Sequence, residues 1–329
     1  MSFKDLPKVE LHLHLDCSLS FQVVKQLKPT ITLAEYQQSF IAPKKCNNLA
    51  DYLKHAVKGF ELMQTPEQLR LVTFDLFRQL NEDKVVYAEI RFAPLLHTFG
   101  GLSPEQVVKV VNDAVGESTK KHGIHAGIIL CTLRRHSEAQ SMQTVELVQK
   151  YEGTHVVGFD IAGNEAGFPI TDHVKAFQFA NRNNLPCTAH AGEAKGAASV
   201  WETLENFRPA RIGHGVRSTE ADELVSFLKE KEIHLEICPT SNIQVDVFDK
   251  IEDHPINTFF DSGLSLSINT DGRAVSNVSL TDEYNLLHQV FGWDKSHFKK
   301  CNLEAIKHSF ASPEIKDLVR ARIERSYWN

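Results

Sequence analysis

The chain lacks several features that mark specialised classes of protein. Its six cysteines form no C-x-x-C pair, and a chain of 329 residues does not need disulfides to hold its core together. No apolar run approaches the roughly 18 residues that cross a bilayer, and the first residues show no signal-peptide pattern. Together these absences predict a cytoplasmic protein with free thiols.

An excess of basic residues is also lacking, because 36 Lys and Arg stand against 42 Asp and Glu. Affinity for nucleic acid rests on clustered Lys and Arg at phosphates, so we expect a small-molecule partner and neither nucleic acid nor a membrane. No internal repeat, low-complexity tract or Gly/Ser linker divides the sequence. Residues 1–329 are therefore predicted to form one domain, and the oligomeric state stays open.

Short apolar runs alternate with stretches of helical periodicity along the whole chain. Helix-like segments, several entered through Ser, Thr or Asp caps, are predicted at 103–121, 139–151, 172–181, 194–206 and 219–231. Eight strands that alternate with helices predict an α/β fold, a single (β/α)8 TIM barrel, whose usual size of about 250 residues leaves room for additions. The predicted strands are Val9–Leu15, Val86–Phe92, His125–Leu133, Val156–Ile161, Cys187–Ala191, Arg211–His214, His234–Ile237 and Leu266–Thr270.

The clearest addition is a helical insertion after strand 1, at residues 28–63. A helix-like run at 48–63 places Leu49, Tyr52 and Leu53 at helical spacing. Two interpretations stay open: the insertion covers an active site as a lid, or these side chains are the packed face of that helix.

Two histidines, His12 and His14, stand two residues apart in the first predicted strand. Side chains at this spacing project to the same face of a strand, so two imidazoles can bind one cation. With 16 histidines in 329 residues, about one such pair is expected by chance. The pair alone is weak evidence for a metal site.

The predicted barrel strengthens the metal hypothesis, because catalytic groups of this fold gather at the carboxyl ends of the strands. Strand 5 ends near His190 and strand 8 near Asp271, which brings both to the rim that holds His12 and His14. Three imidazole nitrogens and one carboxylate oxygen suit one Zn²⁺ per chain, and an open position for water makes such a site catalytic.

Two more polar residues follow strand ends at this rim, Glu193 after strand 5 and His214 at the end of strand 6. A single buried histidine is more often a hydrogen-bonded core residue, and Glu193 alone could be a surface carboxylate at a helix start. The coincidence of all these groups favours a metal centre. Histidines in predicted loops or on helical surfaces are given no role, namely His97, His136, His155, His173 and His297.

The signatures of two other zinc classes are absent. The sequence has no His-Glu-x-x-His of metalloproteases, and no H-x-E followed by P-C-x-x-C of cytidine-deaminase-type enzymes. Pro186-Cys187 has no second cysteine three residues on.

Six short segments stand at or beside the ends of predicted strands, namely 10–16, 160–165, 190–193, 213–215, 238–242 and 269–271. In this order they closely resemble the motifs of the adenosine deaminase family in the amidohydrolase superfamily, and the resemblance covers nearly the whole chain. The resemblance implies zinc ligands His12, His14, His190 and Asp271, catalytic residues Glu193, His214 and Asp271, and substrate contacts from His14, Asp16 and the Gly163 backbone.

The implied reaction is hydrolytic deamination of adenosine and 2′-deoxyadenosine to inosine and ammonia. Zinc lowers the pKa of bound water toward neutrality, and the resulting hydroxide attacks C6 of the purine. Asp271 and His214 orient and deprotonate the water, while a protonated Glu193 gives its proton to N1. Asp16 accepts a hydrogen bond from a ribose hydroxyl and would repel a phosphate, which favours an uncharged nucleoside.

The sequence departs from the family pattern at two positions. Many members carry a second Asp after the metal-binding one to contact purine N7, whereas here Gly272 stands there. Some bacterial members also lack that Asp and have Arg and Ser nearby, as Arg273 and Ser276 stand here. Cys17 replaces the usual glycine after Asp16 and is interpreted as a small packed side chain.

Three alternatives remain. The enzyme could deaminate another aminopurine, such as adenine, aminodeoxyfutalosine or an N6-substituted nucleotide. It could be a non-catalytic adenosine-binding relative, although such proteins lose ligands or the acid, and all of these are present. A binuclear hydrolase normally bridges its metals with a carboxylated lysine on strand 4, and residues 156–161 contain no lysine.

Overall fold

Eight parallel strands lie close to the positions that the sequence predicts. The computed structural model describes residues 3–327. The predicted bounds differ from the observed ones by no more than two residues at either end. Leu15, Cys187 and residues 269–270 are predicted in strands but lie just outside them. The observed strands are β1 Lys8–His14, β2 Val85–Phe92, β3 His125–Leu133, β4 Val156–Ala162, β5 Thr188–Ala191, β6 Arg211–His214, β7 His234–Ile237 and β8 Leu266–Ile268.

The strands form two four-stranded parallel sheets, one in the order β1-β2-β3-β4 and the other in the order β5-β6-β7-β8. Isolated parallel bridges join them, Phe159 to Cys187 on one side and Leu13 to Asp271 on the other. All eight carboxyl ends therefore face one rim. The predicted α/β fold is confirmed.

Helices connect the strands, and several begin at the predicted polar caps. Ser103 and Ser137 each accept from the backbone N–H three residues on, while Gln106 and Gln140 bond back to them. Short 3₁₀ turns stand at 94–97, 171–173, 216–220 and 251–253. The helices are α1 Phe21–Leu27, α2 Leu33–Phe40, α3 Leu49–Glu61, α4 Pro66–Glu82, α5 Pro104–His122, α6 Glu138–Lys150, α7 Val174–Arg182, α8 Ala197–Phe207, α9 Asp222–Glu230, α10 Pro239–Gln244, α11 Ile256–Asp261, α12 Leu280–Phe291, α13 Lys295–His308 and α14 Pro313–Ser326.

The segment after β1 contains more helix than the sequence indicated. Besides α3, which matches the predicted run at 48–63, the short helices α1 and α2 stand before it. A capping box between Thr32 and Glu35 starts α2, a helix that the sequence prediction does not include. Leu49 and Tyr52 pack in a small apolar cluster with Ala42, separate from the main core.

The interior of the strand assembly is ionic as well as apolar. Arg91 of β2 and Arg211 of β6 are fully buried, and each donates hydrogen bonds to a different oxygen of Glu236 on β7. Buried charges are tolerated only when they are paired and hydrogen-bonded, as these are. Within residues 3–327, no helix has the length and apolar character needed to cross a membrane.

Candidate active site

The predicted metal ligands meet at the carboxyl rim. The Nε2 atoms of His14 and His190 lie 3.2 Å apart. Asp271 Oδ1 lies 3.4 Å from His12 Nε2 and 3.5 Å from His14 Nε2. Residues from β1, β5 and the turn after β8 therefore converge on one point, as the barrel argument predicts.

This cluster has the properties of a metal site. His12 Nε2 is buried and has no hydrogen-bond partner among the described residues, although it faces the cluster. An orphaned nitrogen of this kind needs a partner, and a cation supplies one. Ligand atoms of His12, His190, His214 and Asp271 all lie within 4.8 Å of one another and could hold a metal ion. This compact set contains His214, whereas the sequence prediction has His14 as the fourth ligand; both imidazoles border the same centre.

Burial gives three of the four histidines at the cluster the protonation state that a metal ligand needs. It lowers the pKa of His14, His190 and His214 below the usual range, and a neutral imidazole is the form that binds a cation. At His12, burial and Arg91 lower the pKa, but the carboxylates of Asp271 and Glu236 outweigh them and raise it. Burial alone would raise the pKa of Asp271, but the adjacent imidazoles of His12, His14 and His214 hold it well below the ordinary value. Asp271 is therefore a carboxylate.

Carboxylates behind the cluster fix the orientation of two imidazoles. Glu236 Oε2 lies 3.0 Å from His12 Nδ1, and Asp160 Oδ2 lies 3.0 Å from His190 Nδ1. Arg91 bridges these carboxylates, with distances of 2.8 Å to Asp160 and 2.7 Å to Glu236. Such partners orient metal-binding histidines and select their tautomers. Sequence reasoning missed this layer, although the buried acids within strands β4 and β7 could have signalled it.

Two of the predicted catalytic residues have an unusual backbone conformation. His214 has a φ of 61° and Asp271 a φ of 62°. Residues other than glycine adopt this left-handed region uncommonly, and they do so mostly at turns and functional sites. Ser241 donates a 2.7 Å hydrogen bond to Asp271 Oδ2, which leaves Oδ1 facing the histidines.

Glu193 reaches the same centre from the turn after β5. Its Oε1 lies 3.6 Å from His214 Nε2, and the side chain is buried. Burial raises the pKa of Glu193 well above its usual value, and the charges of Asp271 and Glu165 add to this effect while Arg134 opposes it. A carboxyl group held neutral in this way can donate a proton.

A cavity of about 360 Å³ opens onto the cluster, within the range that binds small molecules. All three predicted substrate contacts, His14, Asp16 and Gly163, line it. Burial raises the pKa of Asp16 to about 6. The wall of the cavity opposite the cluster consists of apolar side chains of α3, including Leu53 and Phe60.

Sequence reasoning missed several residues near the cavity. Arg134 and Arg135 line it, although neither belongs to a motif that the sequence singled out. The expectation that His97, His136 and His173 lie in loops or on helical surfaces is wrong as regards exposure, because all three are buried. His97 Nε2 lies 3.9 Å from Asp16 Oδ2.

Parallel strands with a cluster of histidines and carboxylates at their carboxyl ends define a class of α/β barrel enzymes, the amidohydrolases. The chain belongs within it to the adenosine deaminase family: the family model described as adenosine deaminase matches residues 7–326. The adenosine deaminase of Clostridium acetobutylicum is 36% identical over 320 residues, which cover 95% of each chain. The predicted family is thereby confirmed, and the protein is a hydrolase of this family.

Solved structures of relatives share the fold over nearly the whole chain. Adenine deaminase of Arthrobacter aurescens superimposes with a TM-score of 0.89 at 25% identity, covering 97% of this chain and 98% of that chain. The N6-mAMP deaminase of Arabidopsis superimposes with a TM-score of 0.88 at 27% identity, covering 98% of both. These relatives act on different aminopurines, so the fold supports purine deamination more firmly than any one substrate.

Proposed function

We propose that this protein deaminates adenosine and 2′-deoxyadenosine hydrolytically to the corresponding inosine and ammonia, with one zinc ion per chain. The observation that carries the proposal is the meeting of the histidine–Asp271 cluster and a buried Glu193 in one cavity. His12, His14, His190 and Asp271 would hold the ion, and His214 borders it. Bound zinc would lower the pKa of a water molecule toward neutrality and so supply the nucleophile.

The residues around the cluster divide the remaining work. Asp271 and His214 orient the attacking water and accept its proton. Glu193 holds a proton for purine N1, so that the ring does not accumulate negative charge when water oxygen bonds to C6. The exocyclic nitrogen then takes a proton and leaves as ammonia, while C6 keeps the oxygen.

Asp16 favours a nucleoside over a nucleotide. Its carboxyl group lines the cavity and can accept a hydrogen bond from a ribose hydroxyl, whereas a nearby phosphate would be repelled when Asp16 is ionised. One observation favours the second candidate, an N6-substituted nucleotide. Arg134 and the exposed Arg135 border the same cavity, and guanidinium groups suit phosphate.

We also propose that residues 1–329 form one domain and that the insertion at 28–63 acts as a lid over the cavity. One main apolar core contains residues from Phe3 to Tyr327, which supports a single domain. The helix α3 forms part of the cavity wall and also packs against its neighbours, because Leu49 and Tyr52 line the cavity and belong to the small apolar cluster with Ala42.

The deciding experiment records ultraviolet spectra and measures release of ammonia, or of methylamine from N6-methyl-AMP, by zinc-loaded protein. The compounds tested are adenosine, 2′-deoxyadenosine, adenine, AMP, N6-methyl-AMP and aminodeoxyfutalosine. We expect rapid turnover of the two nucleosides and little of AMP. Removal of zinc by a chelator should abolish turnover, and zinc should restore it. Faster turnover of a nucleotide, reduced by Arg135→Ala, would replace the nucleoside proposal with the second candidate. A zinc-loaded protein that turns over none of these compounds would support the non-catalytic alternative.

A further inference from the structure

We propose that Glu165 is the positioning residue that fixes the turn carrying Glu193. Glu165 comes from the loop after β4 and is 1% exposed. Its carboxylate accepts hydrogen bonds from four consecutive backbone N–H groups, with lengths of 2.8 Å for Gly192, 3.0 Å for Glu193, 2.6 Å for Ala194 and 2.9 Å for Lys195.

The two carboxylate oxygens divide these donors. Oε1 accepts from Gly192 N and from Ser199 Oγ at 2.7 Å, and Oε2 accepts from the other three amides. Successive amides that converge on an anion form a nest, which an anionic partner stabilises. A neutral amide side chain cannot replace this partner, because one of its two terminal atoms is a donor and would face N–H groups.

The turn needs such an anchor because it leaves regular structure. Gly192 has a φ of 68°, and α8 begins only at Ala197. The amides of residues 192–195 stand between the end of β5 and this helix and are partly or fully buried, so an unpaired N–H there would be costly. Glu165 satisfies all four amides with one side chain and thereby joins the loop after β4 to the loop after β5.

This bonding acts directly on the proposed proton donor. The backbone N–H of Glu193 is itself one of the bonded groups, so Glu165 sets the position from which the Glu193 side chain reaches His214. The inference rests on the proposed role of Glu193 as the acid. A displacement of about 1 Å at a reacting group can cost about 10²-fold in rate.

A double-mutant cycle tests the inference, with kcat and KM for adenosine measured in Glu165→Gln, Glu193→Gln and the double variant. If Glu165 acts through Glu193, Glu165→Gln should lower kcat about 10²-fold alone but less than about threefold in the Glu193→Gln background. A residue that supports only the fold would lower activity by the same factor in both backgrounds. Equal factors would overturn the inference.

Glu220→Gln is the control, because Glu220 ends the 3₁₀ turn at 216–220 and its carboxylate contacts the first residue of α8. Glu220 is exposed and accepts one N–H at the start of α8, from Ala197 at 3.2 Å, and we expect unchanged kcat. Ser199→Ala, which removes one of the five donors to Glu165, should lower kcat about fivefold and keeps the test open if Glu165→Gln folds poorly. If Glu165→Gln folds poorly, an unchanged kcat in Ser199→Ala would contradict the inference.

Two readouts do not depend on activity. Amide hydrogen exchange at residues 192–195 should accelerate in Glu165→Gln, and zinc content should stay at one ion per chain. If Glu193→Gln keeps normal turnover, the proposed acid is wrong, whatever Glu165 does. If Glu193→Gln is inactive while Glu165→Gln shows wild-type exchange and turnover, only the positioning role fails.

Discussion

The strand-end rim and the segment after β1 face each other across the same cavity, but they are built differently. The rim groups stand on paired strands and are held from behind by buried carboxylates and arginines. The facing wall is the helix α3, whose cavity side is apolar and whose support is a small separate cluster. The difference indicates that the chemistry is placed where the backbone is most constrained, while the fit to the substrate depends on a helical addition.

The sharpest test on the rim side is Glu193→Gln. The amide keeps the shape of the side chain but has no acidic proton to give, so we expect kcat for adenosine to fall by about 10³-fold or more, within the range of general acid catalysis. Zinc content and melting temperature should stay close to those of the parent protein. A near-normal kcat would show that Glu193 is not the general acid of the reaction.

The second test concerns the layer behind the histidines. Arg91→Lys keeps a positive charge but cannot bridge Asp160 and Glu236 as a guanidinium does, so His12 and His190 lose part of their orientation. Zinc affinity, measured by competition with a chelator, should fall about 10- to 100-fold.

Arg211→Lys is the matched control for that test. Arg211 is equally buried but contacts Glu89 and the other oxygen of Glu236, and none of its hydrogen bonds among the described residues goes to Asp160, His12 or His190. We expect a smaller loss of zinc affinity with a similar loss of stability. Equal zinc affinities in the two variants would show that the arginines support the fold alone.

The third test concerns Gly272 and Cys17, which lie where the strand-end rim meets the segment after β1. A Cβ at position 272 would lie 2.6 Å from Cys17 Cβ, and the Cys17 carbonyl is fixed by bonds from Ala274 N and Val275 N. Gly272→Ala should therefore lower the free energy of unfolding by about 1–3 kcal/mol through overpacking.

Cys17 decides whether that cost can be relieved. Adding Cys17→Gly removes the opposing Cβ and should restore much of the melting temperature, whereas Cys17→Ala keeps that Cβ and should not. Cys17 and Gly272, the two departures from the family pattern, are then one coupled change, because Cys17 occupies the space that a side chain at position 272 would need. Equal recovery with Gly and Ala at position 17 would contradict this coupling.

The same contrast explains which features the sequence could predict. The strands follow from local apolar runs, and His12, His14, His190 and Asp271 follow from placing strand ends on one rim. The bridging role of Arg91 could not be predicted, because it depends on three strands that are distant in sequence. The helix α2 was missed because it has only eight residues, too few for a sustained periodic pattern.

The smallest expected effect belongs to the facing wall. Leu53 lines the cavity from α3, so Leu53→Ala should raise KM for adenosine about fivefold through lost apolar contact while kcat stays within about twofold. Leu33→Ala in α2 is the control, because Leu33 is 51% exposed and does not line this cavity; its KM should not change. A fall in kcat with an unchanged KM in Leu53→Ala would place α3 among the groups that act in the transition state, and the division between a chemical rim and a binding wall would no longer hold.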